Sequence, residues 1–147
     1  SVFSRQLSGV SYGYQQIILA NADLALLVFA CTQPDPSLRM LDRFLVVTER
    51  AHIKAVIVVN KIDLMPIEQV DKLFGMYRSI GYDVIYASAV TGQGVDALRE
   101  CIQGKLSTLA GPSGVGKSSL LNAIFPNLHL EVGAKVSDAE KGATPPR

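Results

Sequence analysis

Two kinds of apolar pattern alternate along the chain. Leu24 to Ala30 (LALLVFA) and Ala55 to Val59 (AVIVV) are unbroken apolar runs of strand length. A strand covered by helices on both faces has no solvent side, so such runs predict the interior of a parallel sheet. Val84 to Ala87 (VIYA) is a shorter run of the same kind, and Leu106 to Ala110 (LSTLA) is read as a fourth strand. Between them the apolar positions fall at helical spacing. Ser37 is placed to cap a helix whose stripe is Leu38, Leu41, Phe44 and Leu45. Pro66 suits the first turn of a second helix, with Ile67, Val70, Leu73, Phe74, Tyr77 and Ile80 on one side and Gly81 as its stop. A short helix is expected from Val95 to Gln103, ahead of Gly104, and another from Lys117 to Phe125 behind a glycine-rich loop. Strand and helix in alternation predict an α/β fold with a mainly parallel sheet and helices on both faces. Residues 1–16 follow neither period and read as a tail or the end of a preceding unit. Beyond Pro126 the pattern weakens, and the final KGATPPR reads as irregular.

Composition narrows this picture. A chain of 147 residues with 48% hydrophobic and 18% charged residues can bury a sizeable core and is about one domain long. Lys and Arg total 14 against 13 Asp and Glu, so the formal net charge is +1. That balance argues against a domain whose main task is wrapping nucleic acid, and gives no reason to expect an anionic membrane. The apolar stretch from Ala25 to Cys31 is far short of the roughly 20 residues of a membrane helix. No signal-peptide pattern opens the chain, so a cytoplasmic setting is expected. Cys31 and Cys101 make no disulfide framework, nothing suggests structural zinc, and His52 and His129 stand isolated.

The glycine-rich loop carries the clearest chemistry. Residues 111–118, GPSGVGKS, match G-x-x-x-x-G-K-[ST] in full, with an apolar strand before and an amphipathic helix after. Glycines let backbone N–H groups converge on a phosphate, and the helix N-terminus adds partial positive charge. Gly111, Ser113, Gly114, Val115, Gly116, Lys117, Ser118 and Ser119 are therefore the candidate phosphate-binding residues. Lys117 is placed to neutralise the β and γ phosphates during transfer, the one candidate catalytic side chain, and the Ser118 hydroxyl is placed to ligate magnesium.

A second motif selects the nucleotide. Asn60-Lys61-Ile62-Asp63 follows a buried strand, where open α/β sheets carry their ligand-binding loops. The Asp63 carboxylate can accept from guanine N1–H and the 2-amino group, and adenine offers neither donor. The Lys61 stem can lie over the base, and Asn60 can tie neighbouring loops together. Ser88-Ala89, also just after a strand, offers a backbone N–H for guanine O6. The three loops together point to GTP and GDP.

With NKID, SA and GPSGVGKS in place, the chain resembles the P-loop GTPases, but in an unusual order. The base-reading motifs come first and the phosphate loop last, so the sequence resembles a circularly permuted GTPase. LANADLALLVFA, MLDRFLVVTE, VNKIDL, YASAVTGQGVDAL and LAGPSGVGKSSLLNAIFP are similar to the ribosome small-subunit-dependent, YjeQ-type family, and the resemblance spans Ile17 to Pro126. The resemblance implies a GTPase acting in maturation of the small ribosomal subunit, with that subunit and its rRNA as partners, mainly through domains outside this chain. It implies a preceding OB-fold, of which residues 1–16 would be the remnant, and a permuted GTPase domain from 17 to 147, cut after the phosphate-loop helix and a partial switch region. It implies zinc only in a further domain absent from this chain, and a monomer. Two departures stand out. No D-x-x-G segment occurs in the 147 residues, and Lys141 to Pro146 matches the family's threonine-rich switch poorly, leaving Thr144 as the candidate switch threonine. Three readings stay open on sequence: a GTPase, a guanine-nucleotide-binding module without hydrolysis, and a P-loop kinase or ATPase.

Overall fold

A computed structural model describes residues 22–127. Residues 1–16, His129 and Thr144, with the expectations placed on them, lie outside the described residues. Four strands and four helices alternate: β1 (Leu24–Ala30), α1 (Leu38–Arg50), β2 (Lys54–Asn60), α2 (Ile67–Ser79), β3 (Asp83–Tyr86), α3 (Val95–Ile102), β4 (Ser107–Ala110) and α4 (Lys117–Ile124). A short 3₁₀ turn, Ile62–Leu64, follows β2. The sheet is parallel throughout these strands, in the order β3-β2-β1-β4.

Strand parity explains the layers. Ala25, Leu27 and Phe29 of β1 face one way with Ala55, Ile57 and Val59 of β2, against Leu41, Phe44 and Leu45 of α1 and Val70, Phe74 and Tyr77 of α2. Leu24, Leu26, Val28 and Ala30 face the other way with Val56 and Val58, against Val95 and Leu98 of α3 and Leu120 and Ile124 of α4. Every side chain of β1 is therefore buried, as its unbroken apolar run requires. The first two crossovers step in one direction under α1 and α2, and the third steps back past β2 and β1 to β4. A connection that reverses direction must also change face to remain right-handed, which is why α3 covers the opposite side.

Element ends differ slightly from expectation. Pro66 stands ahead of α2 as an extended N-cap, its carbonyl accepting from Gln69 and Val70, rather than inside the first turn. α3 stops at Ile102, α4 at Ile124, and β3 occupies Asp83–Tyr86 rather than Val84–Ala87. Ile67 and Ile80 do not join the core stripe; they are 45% and 65% exposed. Ile67 is the first residue of α2 and Ile80 its C-cap, so both stand at the ends of the helix, outside its buried stretch from Val70 to Tyr77.

Register sets the site. β1 and β2 end level, Ala30 beside Asn60, so Cys31 and Lys61 leave the sheet side by side. β3 ends with Tyr86 beside Val59, which puts the loop beginning at Ala87 next to Asn60. β4 ends with Ala110 beside Leu27, three residues short of the end of β1. The loop that follows thus climbs past the last residues of β1 toward β2, and all three candidate loops emerge at the carboxyl end of one sheet.

Candidate nucleotide-binding site

Gly111 starts the climb from β4. Its φ is 155°, and a Cβ there would collide with the Val28 carbonyl, so glycine lets the loop hug β1. The loop closes at Gly116, φ 95°, where a Cβ would fall on the Asn60 side-chain amide. Glycine here serves a contact between two motifs as well as a turn. Gly116 is the N-cap of α4, so the loop backbone leads directly into the helix N-terminus. Val115, between the last two glycines, is buried and packs beneath the loop with Leu120.

Asn60 joins the loops. Its Nδ2 donates to the Val115 carbonyl at 2.9 Å, and its Oδ1 accepts from the Ala89 N–H at 3.2 Å. One buried amide thus uses donor and acceptor on opposite sides, spanning 55 and 29 residues of sequence. Lys61 adds a second tie. It adopts the left-handed conformation, φ 68°, and its Nζ donates to the carbonyls of Gln33 and, at 2.9 Å, Gly114. The ammonium thereby fastens the 31–36 segment to the phosphate loop while its stem runs along the mouth between them. The sequence contained no sign of the contact with Gln33, because it depends on the level ends of β1 and β2. Cys31 is a further residue that motif reading passed over: its thiol donates to the Lys61 carbonyl at 3.2 Å, and burial raises its pKa.

Asp63 stands in the 3₁₀ turn with its Oδ1 accepting from the Ser88 hydroxyl at 2.7 Å. Ser88 is fully buried, and its Oγ also accepts from the Thr91 N–H at 3.1 Å. That hydroxyl fixes the orientation of the carboxylate and leaves Oδ2 for a second partner. The Ser88 N–H goes to Gln93 and the Ala89 N–H to Asn60, so these amides already have internal acceptors.

Lys117, the first residue of α4, is 8% exposed, and its Nζ donates to the carbonyls of Gly111 at 2.8 Å and Pro112 at 3.0 Å. The side chain folds back over the loop that precedes its own helix, which holds the ammonium inside the curve of the loop. Ser118 is buried at the second position of α4, and Ser119 follows. The donor set near Ser118 offers a hard hydroxyl oxygen, and no cluster of three His, Cys, Asp or Glu side chains occurs among the described residues. One hydroxyl suits magnesium, which keeps water and phosphate oxygens as its remaining ligands. The structure therefore brings Asn60, Lys61, Asp63, Ser88, Ala89 and residues 111–119 to one end of the sheet.

Comparisons with known proteins point to one family. The RsgA GTPase family model matches residues 1–144. The chain is 49% identical over 139 residues to the small ribosomal subunit biogenesis GTPase RsgA of Gemmatimonas aurantiaca, covering 95% of this chain and 45% of that protein. The protein of the same name from Geobacillus sp. is 49% identical over 116 residues, covering 77% of this chain and 40% of its own length. Among solved structures, YjeQ from Thermotoga maritima aligns with a TM-score of 0.68 at 42% identity, covering 76% of this chain and 41% of that one. YloQ, described as a circularly permuted GTPase, aligns with a TM-score of 0.62 at 43% identity, covering 76% and 40%. The chain spans a little under half the length of the relatives it matches. Motif order, parallel sheet and these similarities agree on one assignment: the chain belongs to the RsgA GTPase family, whose fold is the circularly permuted P-loop GTPase.

Proposed function

We propose that this chain binds GTP and hydrolyses it to GDP and phosphate in the maturation of the small ribosomal subunit, as a cytoplasmic monomer. The observation that carries the reading is the Asn60 amide bonded to both Val115 and Ala89, which makes the base-reading and phosphate-reading loops one site. In this reading Asp63 accepts from guanine N1–H and the 2-amino group, with Ser88 holding its other oxygen. The Lys61 stem covers the base, and the Ala89 N–H, rather than meeting O6, donates to Asn60 Oδ1 and holds the 88–89 loop beside the base. Backbone N–H groups from Ser113 to Lys117, with Gly111, Gly114, Val115 and Gly116 shaping the curve, cradle the β-phosphate. Ser118 contributes its hydroxyl to magnesium, and Ser119 extends the turn toward the α-phosphate. When bound, magnesium neutralises charge that develops on the phosphate oxygens.

Lys117 exchanges two neutral carbonyls for anionic phosphate oxygens, a favourable trade because attraction between opposite net charges is added to the hydrogen bonds. Water attacks the γ-phosphorus in line, the bond from phosphorus to the bridging β–γ oxygen breaks, and GDP, phosphate and a proton leave. Lys117 and the loop amides stabilise that charge, and positioning supplies most of the catalysis. The names of the relatives support the small ribosomal subunit as partner, and its rRNA is the component this reading assigns.

Single-turnover hydrolysis by the chain, with ATP as competitor, tests this reading. GTP is expected to bind and turn over, and excess ATP to leave binding unchanged; displacement by ATP would favour a kinase or ATPase. Binding without turnover would support the binding-module reading. Lys117→Ala is expected to weaken GTP binding by about 10–100-fold, the worth of a charge-assisted hydrogen bond to phosphate, and to abolish turnover. Unchanged affinity and turnover in that variant would remove the phosphate-loop assignment.

A further inference from the structure

Most basic side chains of the described residues are committed to internal partners. Lys54 pairs with Asp83 at 2.9 Å. Arg78 reaches Asp71, the Val84 carbonyl and the face of Tyr86. Arg99 binds Asp96 and the carbonyls of Ala123 and Ile124, where it closes the end of α4. Lys61 and Lys117 are used in the site. Arg39, Arg43 and Arg50 of α1 differ: each is exposed, and none makes an ion pair among the described residues. Lys72 on α2 shares that condition, as does Lys105 after α3, whose Nζ donates to the Cys101 carbonyl at 3.4 Å.

Their spacing places them together. Positions 39, 43, 46 and 50 form one stripe on a helix, about 16 Å long, with the half-exposed Val46 between the arginines. The acidic residues of the same helix lie on its flank toward α2. Asp42 accepts from the Tyr77 hydroxyl at 2.8 Å and Glu49 from the Tyr82 hydroxyl at 3.1 Å, and neither is paired with an arginine. Asp35, just ahead of the helix, accepts from Thr32. At the start of the stripe, Arg39 and Arg43 border a surface depression with Ser37 and Met40. Two guanidinium groups thus flank one concave spot, and a third stands two turns further along.

We propose that this stripe of α1 is an RNA-binding face that grips the phosphate backbone of structured small-subunit rRNA. This rests on the ribosomal partner of the proposed function and gives it a surface on this chain. Guanidinium groups match phosphate oxygens bidentately, and a row of them follows a backbone rather than reading bases. The near-zero net charge of the chain is consistent with the proposal, because the positive charge is local, set apart by the tyrosines that hold Asp42 and Glu49 to one side.

The test compares the full chain with Arg39→Gln/Arg43→Gln/Arg50→Gln and with the Lys triple variant, using protein-free small-subunit rRNA and intact small subunits over a range of salt. GDP affinity is measured in parallel, so failure of nucleotide binding by the parent chain would count against the proposed function alone. The Gln variant is expected to lose about 10–100-fold in rRNA affinity, and its salt slope to fall by about two to three units, since each phosphate contact contributes about 0.7–0.9. The Lys variant is expected to keep most of the slope. Equal affinity and slope in parent and Gln variant, with GDP binding intact, would overturn the proposal. A loss seen with intact subunits but not with protein-free rRNA would also overturn it, in favour of an acidic ribosomal protein.

Discussion

The two ends of the candidate site are held by different means. The base-reading end is built from side chains: Ser88 to Asp63, Asn60 to Ala89, Lys61 to Gly114 and Gln33, and Cys31 to the Lys61 carbonyl. The phosphate-reading end is built from backbone: Gly111 and Gly116 at positive φ, a climb along β1, and a helix N-terminus. On the proposed function, a substitution at the first end would therefore change what is recognised. At the second it changes whether the loop forms, since any Cβ at those glycines meets a backbone carbonyl or the Asn60 amide.

The sharpest use of that contrast is Asp63→Asn. The new Oδ1 can still accept from Ser88, while the new amide faces the base and donates to the 2-oxo group of xanthine. Preference for GTP over XTP is expected to fall by about 10⁴-fold, because a site built around a hydrogen bond rejects the ligand that leaves it unpaired. Competition binding with XDP and GDP measures it, and an unchanged preference would mean that Asp63 does not read the base.

Asn60→Ala attacks the junction between the ends. The Val115 carbonyl and the Ala89 N–H both lose their partner, at a cost of about 2–3 kcal/mol. The melting temperature is expected to drop by about 5–10 °C, readable by calorimetry. A loss confined to nucleotide affinity, with no change in melting, would mean that the two ends are independent.

Tyr86→Phe, in the scaffold beneath the base end, gives the smallest effect. Burial first, and then the hydrogen bond to Asp71, push the Tyr86 hydroxyl up to about 12. Its folded pKa lies above the ordinary value of 10, so its contribution is complete below pH 10 and is lost as pH rises toward about 12. Phe is expected to cost about 0.5 kcal/mol at neutral pH and to make the alkaline limb shallower. A denaturation series from pH 8 to 12 checks both; an alkaline limb as steep as the parent's would assign that limb to Tyr77 and Tyr82, whose hydroxyls are also raised.

Reading the sequence went furthest where one residue type answers one physical demand. Leu24–Ala30 had to be a doubly covered strand because no polar residue interrupts it, and Ser37 had to cap, as its bond to the Met40 N–H shows. The order of the motifs was visible because motifs are local. Contacts set by register were not visible. The tie from Lys61 to Gln33 needs β1 and β2 to end level, and the tyrosine–carboxylate pairs between α1 and its neighbours need the packing angle of two helices. Ile67 and Ile80 followed the apolar period yet lie outside the core, because they stand at the two ends of α2 and periodicity does not record where a helix ends.

Because a single amide spans the two ends, the ends exchange free energy. Whatever steadies Ala89 also steadies Asn60, and through it the carbonyl of Val115. Guanosine seated on the first loops would therefore raise the affinity of the last loop for pyrophosphate, and pyrophosphate would raise the affinity for guanosine by the same factor. On the proposed function, the nucleotide would be more than the sum of its halves to this protein, with Asn60 making its two parts cooperative ligands of each other.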